Sequence, residues 1–433
     1  MMNDRIARKF GRLMSITAVL SVAATLAFLT VSLIPSMPRA AAAAGDMTLT
    51  VTTPTANTVV AMPIGGTVTG TVTINWGDSN TSTVSTAGNF AHTYAASGTY
   101  TIVIGGTFSR FGNCAGYTGA GLITAVTDWG NNGTSSFQCA FLNATALVSV
   151  PSTLPVSTPI TNAARMFDGA FAFNSDISGW NTSSITTMYA MFSGTFYFNR
   201  NIGSWNVSNV TDMTNMFVGA VAFNQSLNTW DVSNVTNMSY MFNAAYSFNG
   251  DLSGWNTSNV TDMTAMFNNS PAFNQNIGTW DVSGVTAMSQ MFLGATSFNR
   301  DLSSWDVSHV ATMSRMFSGA SAFNRNLGNW DISNVTNMSY MLDNSGLNTT
   351  NYSNTIIGWA AGAPRTNVSL GANSLTYDNS AVSARALLTG TKNWTITGDS
   401  YLPPTPPSSS TSTSTSVPSA IDPSAQIVPM FAG

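Results

Sequence analysis

The chain has 433 residues, of which 44% are hydrophobic and only 7% are charged, whereas about 25% of the residues of an average soluble protein are charged. All of its acidic residues are Asp, and the formal net charge is −4. Such a surface cannot neutralise many phosphates, which argues against a nucleic-acid partner.

The N-terminal segment, residues 1–44, has the three-part form of a secretory signal peptide. Basic residues between Arg5 and Arg12 precede an apolar run at 16–34, and a series of alanines ends at Ala44. The segment predicts cleavage near Ala44 and a secreted or cell-surface protein whose mature chain has no membrane span. Because the apolar run is nearly long enough to cross a bilayer, an uncleaved anchor is the alternative.

Residues 46–108 are rich in Thr and Val that alternate, as in "TVTGTVTINW", which predicts a small antiparallel β-sandwich. The stretch "TINWGDSN…NFAHTYAASGTYTIVIGG" resembles the polycystic-kidney-disease (PKD) type of domain. The resemblance implies a tight turn at Trp76-Gly77-Asp78, a later strand that contains His92, and a role as a spacer or docking module. We expect His92 to be a structural strand residue, with a general base as the alternative.

Residues 109–165 are predicted to form irregular opening coils of the repeat array that follows. Cys114 and Cys139 lie 25 residues apart, which is one period of that array, so that they fall on adjacent coils. Disulfides persist in exported proteins. We therefore predict a Cys114–Cys139 disulfide bond at the end of the array, with free thiols as the alternative.

Residues 166–343 contain seven repeats of 25 residues. Each repeat has one Trp. Four other features recur at fixed offsets from it: a Phe-Asn pair, a Val-Thr or similar pair, a Met, and a Met-Phe pair. A fixed period between about 20 and 50 residues is typical of stacked repeat proteins, in which equivalent residues lie on one another. We predict a buried core column of Trp180, Trp205, Trp230, Trp255, Trp280, Trp305 and Trp330.

Within one repeat, Val210, Met213, Met216 and Phe217 have helical spacing, and the residues around Trp230 to Val232 have strand character. Each repeat is therefore predicted to hold one short strand and one short helix or helical turn. The predicted fold class is an α/β solenoid of 25-residue coils, preceded by the small β-sandwich.

The Asn that follows the recurring Phe predicts a structural ladder. A buried bend has backbone groups that must be paired, and an inward-turned Asn can pair with the bend and with the neighbouring coil. An exposed row that contacts a ligand is the alternative. The predicted ladder is Asn174, Asn199, Asn224, Asn249, Asn274, Asn299 and Asn324.

The pattern "W(D/N)xSxVTxMxxMF" followed by "FN", as in Trp230 to Asn249, resembles the repeat of BspA-like bacterial surface proteins. The resemblance covers about residues 165–343. It implies a leucine-rich-repeat-like solenoid at the cell surface and binding to host or neighbouring-cell proteins, and it supplies no catalytic residues.

The pattern ends after Met341. Residues 344–401 are predicted to form a C-terminal cap of two short helices and a final strand. The second helix is expected to begin at Asp378 or Ser380 and to end at Gly390. Residues 402–433 are a Pro/Ser/Thr-rich segment without the apolar residues of a core, which predicts a disordered tail.

The predicted function is that of a non-catalytic surface protein that binds or adheres to an extracellular protein or glycan, without a cofactor or metal. One position in each repeat, after the Met-x pair, changes identity between repeats while its neighbours stay the same, as a binding face would. Solvent exposure alone is the simpler explanation of this variation. The positions are Tyr189, Asn215, Tyr240, Ala265, Gln290, Arg315 and Tyr340.

Two other functions are alternatives. A secreted glycan-active enzyme, or its accessory module, would need a facing pair of carboxylates. The acidic residues instead recur in columns, which indicates turn or cap roles. A purely structural spacer of the cell envelope is the other alternative. The two columns are Asp176, Asp251 and Asp301, and Asp231, Asp281, Asp306 and Asp331.

Overall fold

A computed structural model describes residues 45–404 of the chain. The predicted signal peptide at 1–44 and residues 405–433 of the predicted tail lie outside the described residues. In residues 45–404, none of the helices combines the length and the apolar character that a membrane span needs.

The first part of the described chain is an antiparallel β-sheet. Val, Ile and Thr dominate its segments, and these residues pack well on a pleated surface. The sheet has the order β3-β2-β5-β1-β6, and β4 pairs with β2. The strands are β1 (Met47–Thr53), β2 (Thr58–Asn75), β3 (Thr81–Val84), β4 (Gly88–Tyr94), β5 (Gly98–Phe111) and β6 (Ile123–Asp128).

All six strands are hydrogen-bonded into one antiparallel sheet. The long strand β2 pairs with β4 through its first half and with β3 through its second half. Its register with β5 shifts twice between Gly65 and Thr73, and such bulges let one strand bend. Since β6 pairs with β1, the sheet also extends beyond residue 108.

The predicted turn at Trp76-Gly77-Asp78 connects β2 to β3. Gly77 has φ +80°, and a Cβ atom there would lie 2.5 Å from the carbonyl oxygen of Thr101, so only glycine fits. His92 lies in β4, its Nε2 is 2.7 Å from Asp78 Oδ2, and its ring stacks on Trp76. These contacts give His92 a structural position in the sheet.

The sheet continues directly into the repeats. The amide of Phe111 donates to the carbonyl of Ser136 over 3.2 Å, and Arg110 forms a parallel bridge with Ser136. A disulfide bond joins Cys114 to Cys139, the pair that the 25-residue spacing predicts. The bond therefore ties the loop after β5 to the first coil.

Single-residue parallel β-bridges join successive repeats. From residue 162 to residue 337, each bridge pairs a residue with its equivalent 25 positions later, and in parallel pairing the two chains lie about 4.8 Å apart. The uninterrupted series is Asn162, Thr187, Asp212, Asn237, Asp262, Ala287, Thr312 and Asn337.

Each repeat was predicted to hold a short helix or helical turn, and it holds turns without a helix. The strand predicted near Trp230 is absent: residues 129–348, all of which the structure describes, contain turns and isolated bridges. The amides of Met213, Asn215 and Phe217 donate to carbonyls of the next repeat over 2.8–3.2 Å. The amides of Met216 and Val218 donate to the carbonyls three residues back. In an α-helix, each interior amide donates to the carbonyl four residues back in the same helix. Here successive amides donate alternately to the next repeat and to the carbonyl three residues back, so no α-helix forms.

Aromatic columns fill the interior of the repeats. The rings of Phe217 and Phe242 stack at 5.4 Å, and those of Phe223 and Phe248 at 5.9 Å. The predicted Trp column is buried, with no member more than 4% exposed. The indole Nε1 of Trp230 donates to the carbonyl of Ile202 over 3.0 Å, so the polar atom of the ring is paired as well.

The last part of the described chain contains the two helices predicted for residues 344–401. In the first, the side chain of the N-cap residue Asn348 accepts from the amide of Asn351, and Asp378 precedes the second helical segment as expected. That segment passes through a π-turn that ends at Thr391 rather than at Gly390. The elements are α1 (Thr349–Ala361), β7 (Ser369–Gly371), β8 (Thr376–Tyr377), α2 (Val382–Ala386), β9 (Thr395–Thr397) and β10 (Ser400–Tyr401).

Candidate binding surface

Two columns of left-handed backbone run along the repeats, four residues apart. Non-glycine residues rarely have positive φ, and bulky ones do so at a cost. The first column, here called the variable column, has φ of 49–62° and consists of Cys139, Arg165, Ala190, Asn215, Tyr240, Ala265, Gln290, Arg315 and Tyr340. The second, here called the glycine column, has φ of 53–75° and consists of Asn143, Gly169, Gly194, Gly219, Ala244, Asn269, Gly294, Gly319 and Asn344.

The two columns place the same demand on the backbone but use different residues. In the glycine column, eight of nine residues are Gly or Asn, the types that adopt positive φ most easily. In the variable column, only Asn215 is of this kind. The backbone therefore explains the residues of the glycine column and does not explain the Tyr, Gln and Arg residues of the variable column.

The side chains of the variable column differ in exposure and contact one another between coils. Tyr340 is 52% exposed, and the guanidinium carbon of Arg315 lies 4.8 Å from the centre of its ring. Tyr240 and Gln290 are half-buried, whereas Ala265 is buried. The column thus presents aromatic, amide and cationic groups in succession.

One predicted member of this face is out of register. Tyr189 precedes the column by one residue, and the column position in its repeat is Ala190, which is buried. The hydroxyl of Tyr189 lies 3.5 Å from Nδ2 of Asn215 in the next coil, so it borders the column. Arg165, which was not predicted, has the column conformation and pairs with Asp168 at 2.8 Å.

A second exposed group was not predicted. Phe171 is 39% exposed and stacks on Phe196 with the ring centres 4.8 Å apart, and Tyr197 beside them is 66% exposed. We call Phe171, Phe196 and Tyr197 the corner patch. In these two repeats, aromatic residues stand just before the recurring Phe-Asn pair. They were the signal in the sequence from which this patch could have been predicted.

The predicted Asn ladder pairs with the neighbouring coil, but its members do not turn inward. Oδ1 of Asn199 accepts from the backbone amide of Asn224 over 2.9 Å, and Oδ1 of Asn224 accepts from that of Asn249 over 2.8 Å. The same bond recurs from Asn174 to Asn348. The side chains lie at the surface, half-buried or exposed, because the recurring Phe residues already fill the interior.

The carboxylates of the two acidic columns occupy turns. Oδ1 of Asp231 accepts from the amide of Ser233 over 3.1 Å, and Asp281 and Asp306 make the same bond to Ser283 and Ser308. Hydrogen bonds from these serines hold the pKa of each carboxyl below its ordinary value. In residues 45–404 there is no group of three His, Cys, Asp or Glu side chains placed to hold a metal ion.

Comparison with protein families gives two matches to one family, described as "Mycoplasma protein of unknown function, DUF285", at residues 135–255 and 246–355. Together the matches span just over half of the chain. The chain belongs to the DUF285 family. The DUF285 matches include all the positions of the variable column and the whole corner patch. Neither the curated proteins nor the solved structures gave a match.

Proposed function

We propose that this chain is an exported, non-catalytic binding protein of the BspA-like kind, whose variable column contacts an extracellular protein. In this proposal the coils form a leucine-rich-repeat-like solenoid, and the PKD-like first domain holds it away from the site of attachment. The family description assigns no function, so the proposal rests on the chain's own surface.

The contrast between the two left-handed columns carries the proposal. A side chain with a Cβ atom costs about 1–2 kcal/mol in this conformation. Tyr240, Gln290 and Tyr340 bear this cost at a position where Gly or Asn would reduce it. Backbone strain that the fold could avoid is a reason to look for a function of the side chain.

The composition of the surface supports a protein partner. Tyr and Arg are enriched in protein interfaces, where rigid aromatic rings and planar guanidinium groups give large contacts. Arg315 and Tyr340 lie on adjacent coils, and the corner patch adds exposed aromatic area on earlier coils. Exposed aromatic groups of this kind are typical of interaction sites.

The test is a set of asparagine substitutions in the full-length protein: Tyr240→Asn, Gln290→Asn, Arg315→Asn and Tyr340→Asn together. Asn relieves the backbone strain and shortens the side chains. We expect this variant to unfold at the same or a higher urea concentration than the wild type. We also expect it to lose the extracellular proteins that the immobilised wild type captures.

The control carries Thr279→Asn and Ser304→Asn, at exposed positions outside both left-handed columns. It should capture the same proteins as the wild type. The proposal fails if the fourfold variant captures the same proteins as the control. Loss of stability in the fourfold variant would instead assign these side chains to packing between coils.

A further inference from the structure

A polar groove separate from the variable column lies between two successive repeats. It is an open groove of about 640 Å³, lined by Asn201 and residues 203–207 of one repeat and by Ser226, Thr229 and Asp231 of the next. Small-molecule sites usually have volumes of about 300–1,000 Å³. The groove is therefore large enough for a ligand of a few rings.

Gly203 is one of the residues that line this groove. A Cβ atom there would lie 3.2 Å from both Oδ1 of Asn201 and the carbonyl oxygen of Ser226, so a side chain at this position would narrow the groove. One repeat later, Asn228 takes the place of Gly203, and its Oδ1 accepts from Ser253 Oγ over 3.2 Å and also from the amide of Gly254. The same gap is thus bridged by a side chain in the following repeat.

The polar groups of the groove are held in fixed orientations. Oδ1 of Asn201 accepts from the amide of Gly203, and Oδ1 of Asn206 accepts from the amide of Ser208. These bonds use the acceptor oxygens and leave the amide N–H groups of both side chains for a ligand. Asp231 adds a carboxylate whose pKa is lowered by bonds from Ser233, so it is ionised at neutral pH.

The floor of the groove includes Trp205 and Val207, which are almost entirely buried. The site thus combines an apolar floor with fixed amide donors and one carboxylate acceptor. A molecule rich in hydroxyl groups can accept from the amides and donate to the carboxylate at the same time. An anionic ligand would be repelled by Asp231, since no cationic side chain lines the groove.

We infer that this groove is a binding site for a neutral saccharide. The inference uses none of the residues of the variable column and does not depend on the protein-binding proposal. It assigns Asn201, Asn206 and Asp231 to recognition of sugar hydroxyls, and Gly203 to making room for the ring.

The probes are neutral di- to tetrasaccharides of glucose, galactose, mannose and N-acetylglucosamine, titrated into the full-length protein by calorimetry. Gly203→Asn, which copies the residue of the next repeat, should abolish binding. Asp231→Asn keeps the turn acceptor, as Asn does in the same column at Asn206 and Asn256. It should weaken binding about tenfold, the loss of one charge-assisted hydrogen bond.

Two substitutions in equivalent columns of other repeats are the matched controls. Ser253→Asn and Asp281→Asn lie outside the groove and should bind as the wild type does. The inference is overturned if the wild type binds none of the four sugar series. It is also overturned if all variants bind equally. Far-ultraviolet circular dichroism and the urea midpoint identify any variant that has lost its fold.

Discussion

The glycine column allows the energetic cost of left-handed backbone to be measured directly. Gly319 has φ +70°, and a Cβ atom there would have no neighbour closer than 3.8 Å. Gly319→Ala therefore adds conformational cost without a clash. The Cβ atom costs about 1–2 kcal/mol in this conformation, and the lower entropy of unfolded Ala offsets about 0.5–1 kcal/mol. The expected result is a loss of about 1 kcal/mol in the free energy of unfolding.

Two further changes complete the experiment. Ala244 occupies the same column with φ 56°, so Ala244→Gly should stabilise the protein by about the same amount. Gly390 has open space around its Cα and does not have a positive φ. Gly390→Ala should therefore stabilise by about 0.4–1 kcal/mol through the unfolded chain alone.

The measurement is urea unfolding of the full-length protein followed by Trp fluorescence, with all variants at one pH. The midpoint should fall for Gly319→Ala and rise for the other two variants. If Gly319→Ala and Gly390→Ala shift the midpoint in the same direction, the strain argument is refuted. The reasoning behind the variable column would then be refuted with it, since it depends on the same cost.

Three other predictions concern the core, the disulfide and pH. Phe242→Ala removes a buried ring that stacks on both neighbouring coils and should cost about 3–5 kcal/mol in urea unfolding, whereas an equal midpoint would contradict the stacked core. Reduction of Cys114–Cys139, which closes a 25-residue separation, should lower the free energy of unfolding by about 3 kcal/mol. A carboxyl whose pKa is lower in the folded state stabilises the protein above the ordinary Asp pKa, and this contribution is lost as pH falls from that value through the folded-state pKa. The urea midpoint should therefore fall below about pH 4, and less steeply in the variant with Asp281→Asn and Asp306→Asn, whose turn acceptors do not titrate.

The sequence predicted the contacts that depend on period alone. Trp230 and its equivalents recur every 25 residues, so a stack places them on one another whatever the local backbone is. The same reasoning brought Cys114 within bonding distance of Cys139. Which residues are equivalent in successive coils depends only on their spacing, and the spacing can be read from the sequence.

The local backbone could not be predicted in the same way. Met213, Met216 and Phe217 point inward in a series of turns, and an amphipathic helix would give the same apolar spacing. The discriminating signal was the column of Gly and Asn that includes Gly219 and Asn269, since regularly repeated left-handed positions break a helix. The variable column has no such signal, because its residues do not follow the backbone.

The surface of the repeats can be divided by how strongly the backbone determines each position. In the column that includes Asp231, carboxylate and amide side chains accept a hydrogen bond from the backbone of their own turn. In the ladder that includes Asn224, each side chain accepts from the backbone of the next coil. The residues of both columns therefore repeat for structural reasons. The variable column does not follow such a rule. Because a repeat can change freely only where its neighbours do not constrain it, a partner protein is best sought at positions of this second kind. Function in this chain is therefore best sought where one repeat differs from the next while the backbone stays the same.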